Sequence, residues 1–272
     1  MKGITIMKKK LLSITLALTM VFTMFAFTGC GSSEEAASDA EYVKGNGKLI
    51  VGITDFAPMD YKDDNGEWIG FDADMAKAFA ESLGVEAEFI EIDWDSKEME
   101  LENKSIDVVW NGMTLTDGVK EAMETSNAYC NNAQVVVVKK DVADKYMNKE
   151  DCAELNFAVE AGSAGEEAAQ AEGWEALGLQ TQAEALMEVE AGTADAAIID
   201  LLMAGAMIGE GTSYEDLAYT CSLTSEEYGA GFRKGSDLAQ MLNDFMVQAY
   251  SDGTMEKIAK KYGTQESLIE QK

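Results

Sequence analysis

Met99-Glu-Leu-Glu-Asn-Lys-Ser-Ile-Asp-Val-Val-Trp110 and Met187-Glu-Val-Glu-Ala-Gly-Thr-Ala-Asp-Ala-Ala-Ile198 are the stretches whose reading decides the fold. Aligned at a constant offset of 88 residues, they share a Met, two Glu and an Asp in register. Each reads as a helix end, a polar turn, and an Asp that opens an apolar strand. Repetition of that unit predicts two structurally similar lobes.

The flanks extend the pattern. Upstream of the first copy, Lys48-Leu-Ile-Val-Gly-Ile53 reads as a buried strand that ends in a turn with Asp55, Ala57 and Pro58. A helix then starts at Asp72, with Phe71, Met75, Ala78, Phe79 and Leu83 at helical spacing and Gly84 closing it. A strand over residues 88–92, a helix over 97–102 and a strand over 106–110 complete one βαβαβ series. The second copy repeats it, with strands at 155–160, near 180–182 and at 196–199, and helices at 166–176 and from Ala183. A further strand lies within 222–235. Two amphipathic helices follow, carrying Leu238, Leu242, Phe245 and Met246, then Met255, Ile258 and Tyr262. They have no sheet of their own, so they must pack back on an existing lobe and make it discontinuous.

The start of the chain has a different character. Lys8, Lys9 and Lys10 precede an uncharged apolar run from Leu11 to Phe27, then Thr28-Gly29-Cys30. A basic start, an apolar middle and small residues describe a secretory signal, here over residues 1–30. A run of this length also approaches that of an anchor helix. Residues 31–46 are rich in Ser, Glu, Ala, Asp and Gly and read as a flexible tether.

With 21 basic against 50 acidic residues and a formal net charge of −29, the surface repels nucleic acid and anionic lipid. The chain has no histidine, which removes Ser-His-Asp and Cys-His catalysis. Besides Cys30 there are Cys130, Cys152 and Cys221, whose spacing matches no zinc pattern and allows one disulfide at most. No metal and no cofactor is expected.

From Leu49 to about Gly263 the chain resembles the polar amino-acid family of ABC-transporter solute-binding proteins, solute-binding family 3. The matching stretches are Val51-Gly-Ile-Thr-Asp-Phe-Ala-Pro-Met59, Gly70-Phe-Asp-Ala-Asp-Met-Ala-Lys77, Asp93-Trp94, Ile106-Asp-Val-Val-Trp-Asn-Gly-Met-Thr-Leu-Thr116, Glu160-Ala-Gly-Ser163, Ala194-Asp195 to Asp200, and Asp252-Gly-Thr254. Gly29-Cys30 similarly resembles a bacterial lipobox, with Phe27 where Leu is usual. The resemblance implies a two-lobed α/β fold of the type II periplasmic-binding-protein kind, with two parallel-rich sheets joined by two hinge strands near 132–136 and 226–230. One lobe would comprise residues 47–133 plus 229–272, the other 134–228. It also implies a monomer that captures an amino acid or related small polar metabolite and delivers it to a membrane permease. The protein would be held on the outer face of the cell membrane by lipid on Cys30.

The resemblance further implies the binding residues. Asp200 would take a ligand ammonium, although Asp there also suits a helix N-cap. Gly112, Met113, Thr114 and Thr116, beside Asn111, would take the carboxylate, with amides of Gly162, Ser163 and Ala164 at a helix start. Phe56 and Trp94 would clamp the aliphatic part. One departure matters: the family's carboxylate-gripping Arg position is Val119 here. Either amides plus Lys120 hold the carboxylate, or the ligand is a cationic amine without one, tolerated by Asp55, Asp60 and Asp200. Some relatives on this scaffold are cyclohexadienyl dehydratases; that chemistry needs cations for two carboxylates and a general acid, which this chain does not offer, so no catalytic residue is expected.

Overall fold

The computed structural model describes residues 38–272. Cys30 and the expected signal segment lie outside the described residues.

The chain builds two mixed sheets in order. The first holds β1 (Lys48–Ile53), β4 (Glu86–Glu91), β5 (Val108–Thr114), β6 (Glu124–Thr125), β7 (Cys130–Asn132) and β13 (Glu226–Phe232). A small hairpin of β2 (Tyr61–Lys62) and β3 (Trp68–Ile69) sits beside it. The second holds β8 (Gln134–Lys139), β9 (Phe157–Glu160), β10 (Ala176–Leu179), β11 (Ala196–Asp200) and β12 (Leu217–Ser222). The helices are α1 (Asp39–Asn46), α2 (Phe71–Leu83), α3 (Lys97–Glu102), α4 (Asp117–Ala122), α5 (Ala164–Glu172), α6 (Gln182–Ala191), α7 (Leu201–Met207), α8 (Leu238–Ser251) and α9 (Thr254–Tyr262).

The repeat is real in three dimensions. The first sheet runs β4-β1-β5-β13 and the second β10-β9-β11-β8, in each case three parallel strands and then one antiparallel strand. Asp107 precedes β5, and its carboxylate accepts from the Ile50 N–H of the neighbouring parallel strand at 3.0 Å. Asp195 precedes β11 and does the same for Asn156, also at 3.0 Å. The shared Asp thus ties the third strand of each lobe to the first.

Leu49, Val51 and Ile53 of β1 are fully buried together with Phe71, Met75 and Phe79 of α2 in the main core. The C-terminal helices return to this first lobe. Phe245 of α8 packs on Phe79, ring centroids 5.5 Å apart, and Lys261 and Tyr262 of α9 reach Asp74. The chain crosses between sheets at Ala133, between β7 and β8, and again through residues 223–225, between β12 and β13. The first crossing falls within the expected hinge. The second comes just before it, because residues 226–228 already pair with β7.

Some boundaries differ from the sequence reading for identifiable reasons. The expected tether gives way at Ser38, whose hydroxyl accepts from Glu41 N–H and caps α1. Val43 is fully buried, and Asp39 pairs with Arg233 at 3.0 Å, so a polar segment is fixed by tertiary contacts that its composition does not announce. The strand expected to end at Trp110 continues to Thr114, because its polar residues are buried and bonded to the neighbouring loop. The helix expected to reach residue 176 stops at Glu172, where Gly173 adopts φ +76° and donates to Ala169 and Gln170 carbonyls. The following strand accordingly starts at Ala176 rather than near Gln180. Cys152 and Cys221 bring their sulfurs to 3.9 Å, whereas Cys130 is buried in the first lobe near Ser267.

Candidate functional site

The two lobes meet along the C-terminal ends of β1, β5, β9 and β11, the edge at which α/β sheets present loops to a ligand. They are in contact. Lys97 Nζ donates to the Gly162 carbonyl at 2.9 Å, and Gln180 Nε2 to Asp93 Oδ1 at 2.8 Å. Gly162, at φ +70°, presses against the opposite lobe so closely that a Cβ there would stand 2.7 Å from Asp95 Cα. Between them is a half-open space of about 90 Å³, walled by Trp94, Lys97, Thr114, Thr116, Val119 and Ala164 among others. It leads to an outer groove of about 540 Å³ beside Lys120, Thr224 and Glu227. Another groove, of about 510 Å³ around Lys139 and Asp216, lies at the end of β8 remote from the hinge and shares no residue with the cleft.

On the first-lobe wall several expected contacts are engaged internally. Asn111 is buried. Its Oδ1 accepts from the Thr54 N–H and hydroxyl, and its Nδ2 donates to Thr54 O and Asp60 Oδ2. Gly112 N–H donates to Asp72 Oδ2 at 2.6 Å, and that oxygen also accepts from the Tyr129 hydroxyl. The Asn111 side-chain amide is thus spent on the loop after β1, and the Gly112 N–H on the first turn of α2. Gly112 is also needed for its small size, because at φ +55° its absent Cβ leaves room for the Phe56 ring, which would otherwise be 2.3 Å away. Met113 is buried in a cluster with Trp94, Leu101 and Val119 and also borders the space between the lobes. Thr116 caps α4 by accepting from Val119 N–H, and Thr114 donates to Glu226 Oε1 at 2.9 Å. Asp55 is exposed, while Phe56 and Trp94 are buried. Lys120 is exposed and borders the outer groove rather than the inner space.

The second-lobe wall is acidic. Ser163 caps α5 and accepts from Glu166 N–H, while Gly162 N–H donates back to Glu166, a reciprocal capping arrangement. Asp200 stands at the start of α7 but makes no capping bond. Its Oδ1 accepts from Asn132, Gln134 and Tyr228, and its Oδ2 from Gln182 at 2.5 Å. Burial, then the neighbouring Glu226, pushes its carboxyl up to about 7. Glu160, at the end of β9, is 3% exposed, and its Oε1 has no hydrogen-bond partner. Burial, then Asp200, raises it to about 8, against the pull of Thr54, Lys97 and Gln182.

Two residues of this site escape the sequence reading. Lys97 opens α3 and sits on the same face as buried Leu101, four residues on; a charge at that place is the signal. Glu160 closes the otherwise apolar Phe157-Ala-Val-Glu160, the same kind of signal in a strand.

A two-lobed α/β protein with its site at the interlobe seam belongs to the class that encloses small solutes. Residues 49–265 match the bacterial extracellular solute-binding proteins, family 3. The arginine-binding extracellular protein ArtP of Bacillus subtilis is 30% identical over 268 residues, spanning 96% of this chain and all of ArtP. A crystal structure of a P235GK mutant of ArgBP from T. maritima superposes with TM-score 0.77 at 32% identity, covering 82% of this chain and 98% of that one. The ancestral amino acid-binding protein AncCDT-1, a precursor of cyclohexadienyl dehydratase, gives TM-score 0.75 at 33% identity, covering 83% of this chain and 99% of its own. The chain belongs to family 3 of the bacterial extracellular solute-binding proteins, and it is the solute-binding component of an ABC importer.

Proposed function

We propose that the cleft captures a basic L-amino acid, with arginine the foremost candidate, and hands it to a membrane permease without chemical change. The observation that carries this reading is Glu160, a buried carboxyl with an unpartnered oxygen at the seam between the lobes. A buried carboxylate is tolerated only when paired, and a guanidinium or ammonium entering the cleft supplies the pair. Asp200 adds negative potential behind it and keeps its own oxygens occupied by protein donors. The arginine-binding ArtP and ArgBP support the same choice.

Capture works by population shift. The ligand has most of its contacts only when Gly162 and Lys97 have come together, so it favours the closed arrangement seen here. Anchoring outside the membrane through lipid on Cys30, as a monomer, completes the proposal. Among the described residues no helix is long and apolar enough to cross a membrane.

The test is calorimetry and thermal unfolding of the full-length protein in detergent, stripped of carried-over ligand. The probes are L-arginine, L-lysine, L-histidine, L-glutamine, L-cystine and agmatine, the decarboxylated form of arginine. L-Arginine at a hundredfold excess over its Kd adds roughly 2.7 kcal/mol of stability. Binding of L-glutamine or L-cystine in preference to arginine overturns the basic class, and no binding of any amino acid overturns the solute class altogether.

A further inference from the structure

The cleft contains one buried cation. Lys97 is 7% exposed and, among the described residues, has no carboxylate within ion-pair distance. Its ammonium donates to the Trp94 carbonyl at 3.1 Å and to the Gly162 carbonyl at 2.9 Å, and lies 5.0 Å from the Trp94 ring centre. An ammonium has three protons to donate, so one remains for a further acceptor. Burial lowers the pKa of Lys97 against the pull of Glu98, Glu160, Glu167 and Asp95, none of which comes within ion-pair distance.

What lies around that third proton points to an anion. The half-open space of about 90 Å³ that Lys97 lines is also lined by Thr114, Thr116 and Ala164. Ala164 opens α5, and the first N–H groups of a helix have no acceptor within it. Glu98 and Glu167 border the same space and Asp95 lies near, but all three are exposed, so water screens them, and buried Glu160, raised to about 8, carries little charge at neutral pH. Val119 also faces it and contributes no charge.

We propose that Lys97 is the carboxylate anchor of this cleft, binding the α-carboxylate of the captured amino acid and setting the specificity for amino acids over their decarboxylated amines. This rests on the reading of the cleft as an amino-acid site. Since Lys97 also bonds the opposite lobe through Gly162, the anchor is complete only in the closed form. Ligand carboxylate and lobe closure are therefore read by a single ammonium.

The experiment compares L-arginine with agmatine on full-length wild type, Lys97→Met and Lys97→Arg, by calorimetry. Wild type should prefer L-arginine. Lys97→Met should weaken both probes through the lost Gly162 contact, but L-arginine roughly 100-fold more than agmatine, the scale of one buried charge-assisted hydrogen bond. Lys97→Arg should recover part of the L-arginine affinity. Equal weakening of both probes by Lys97→Met would reduce Lys97 to an interlobe latch, and an unchanged L-arginine affinity would also overturn the anchor. Failure of wild type to bind any amino acid overturns the functional reading itself and the anchor with it, a result distinct from either of those.

Discussion

Asp107 and Asp195 occupy the same place in the two copies of the repeat, and each holds a first strand against a third through the same backbone hydrogen bond. Their surroundings differ. Asp107 is buried and also pairs with Arg233, which reaches Asp39 of α1 as well. Asp195 is exposed and has no cation beside it among the described residues. The contrast continues to the cleft, where the first lobe presents a buried ammonium, Lys97, and the second presents the buried carboxyls Glu160 and Asp200. One architectural unit, used twice, has taken opposite charge on its two functional faces. The backbone hydrogen bonds that define the unit are indifferent to what the loops at the strand ends carry.

The largest effect should come from breaking the ion pair that only the first lobe has. Arg233→Met leaves Asp39 and Asp107 buried without a cation and should cost about 3–5 kcal/mol in urea unfolding. A cost below about 1 kcal/mol would show that the two aspartates are equivalent after all.

Next is Gly162→Ala, which sets a methyl group against the backbone at Asp95. It should weaken L-arginine binding by roughly 100-fold by penalising closure. The ligand-free protein should lose only about 1–2 kcal/mol from the positive φ. An unimpaired L-arginine affinity would mean that the contact is not needed for capture.

Glu160→Gln should weaken L-arginine by roughly 10–100-fold, one charge-assisted hydrogen bond. It also alters the pH dependence. Glu160 and Asp200 have raised pKa values in the folded state, about 8 and about 7. Their contribution to ligand-free stability is therefore full below the ordinary carboxylate range and is lost as pH rises towards those values. A cation paired with the Glu160 carboxylate favours the deprotonated form, so L-arginine binding should release a proton and strengthen as pH rises from about 6 to about 8. Calorimetry in buffers of different ionisation enthalpy measures that proton, and Glu160→Gln should abolish the part due to Glu160.

The smallest effect sharpens the comparison from the other side. Asp195→Ala removes an exposed acceptor and should cost about 1 kcal/mol, well under the Arg233 change. Equal losses in the two lobes would erase the distinction between them.

Much of the fold was legible because periodicity is local. The run at 48–53, the helical spacing after Phe71 and the repeated Asp-opened strands needed only near neighbours in sequence. Helix α1 was not legible, since its anchors, Arg233 and Asp237, come from about 200 residues away. At the site, Trp94, Met113, Thr114, Thr116, Gly162 and Ala164 line the half-open space, whereas Asn111 and Gly112 are spent on Thr54 and Asp72. A motif states which residues are present at a strand end. It does not state which of their hydrogen bonds are already taken.

By itself, the sequence determined the two-lobed α/β class, the repeat, the acidic balance and the family, because each depends on residue order, spacing or composition. Only the tertiary structure decided that Lys97 and Gly162 meet across the seam, that Asp200 is already surrounded by donors, and that Glu160 is buried with an oxygen to spare. Those facts depend on groups brought together from distant parts of the chain, and on the loss of water when the lobes close. Neither is encoded in any local stretch.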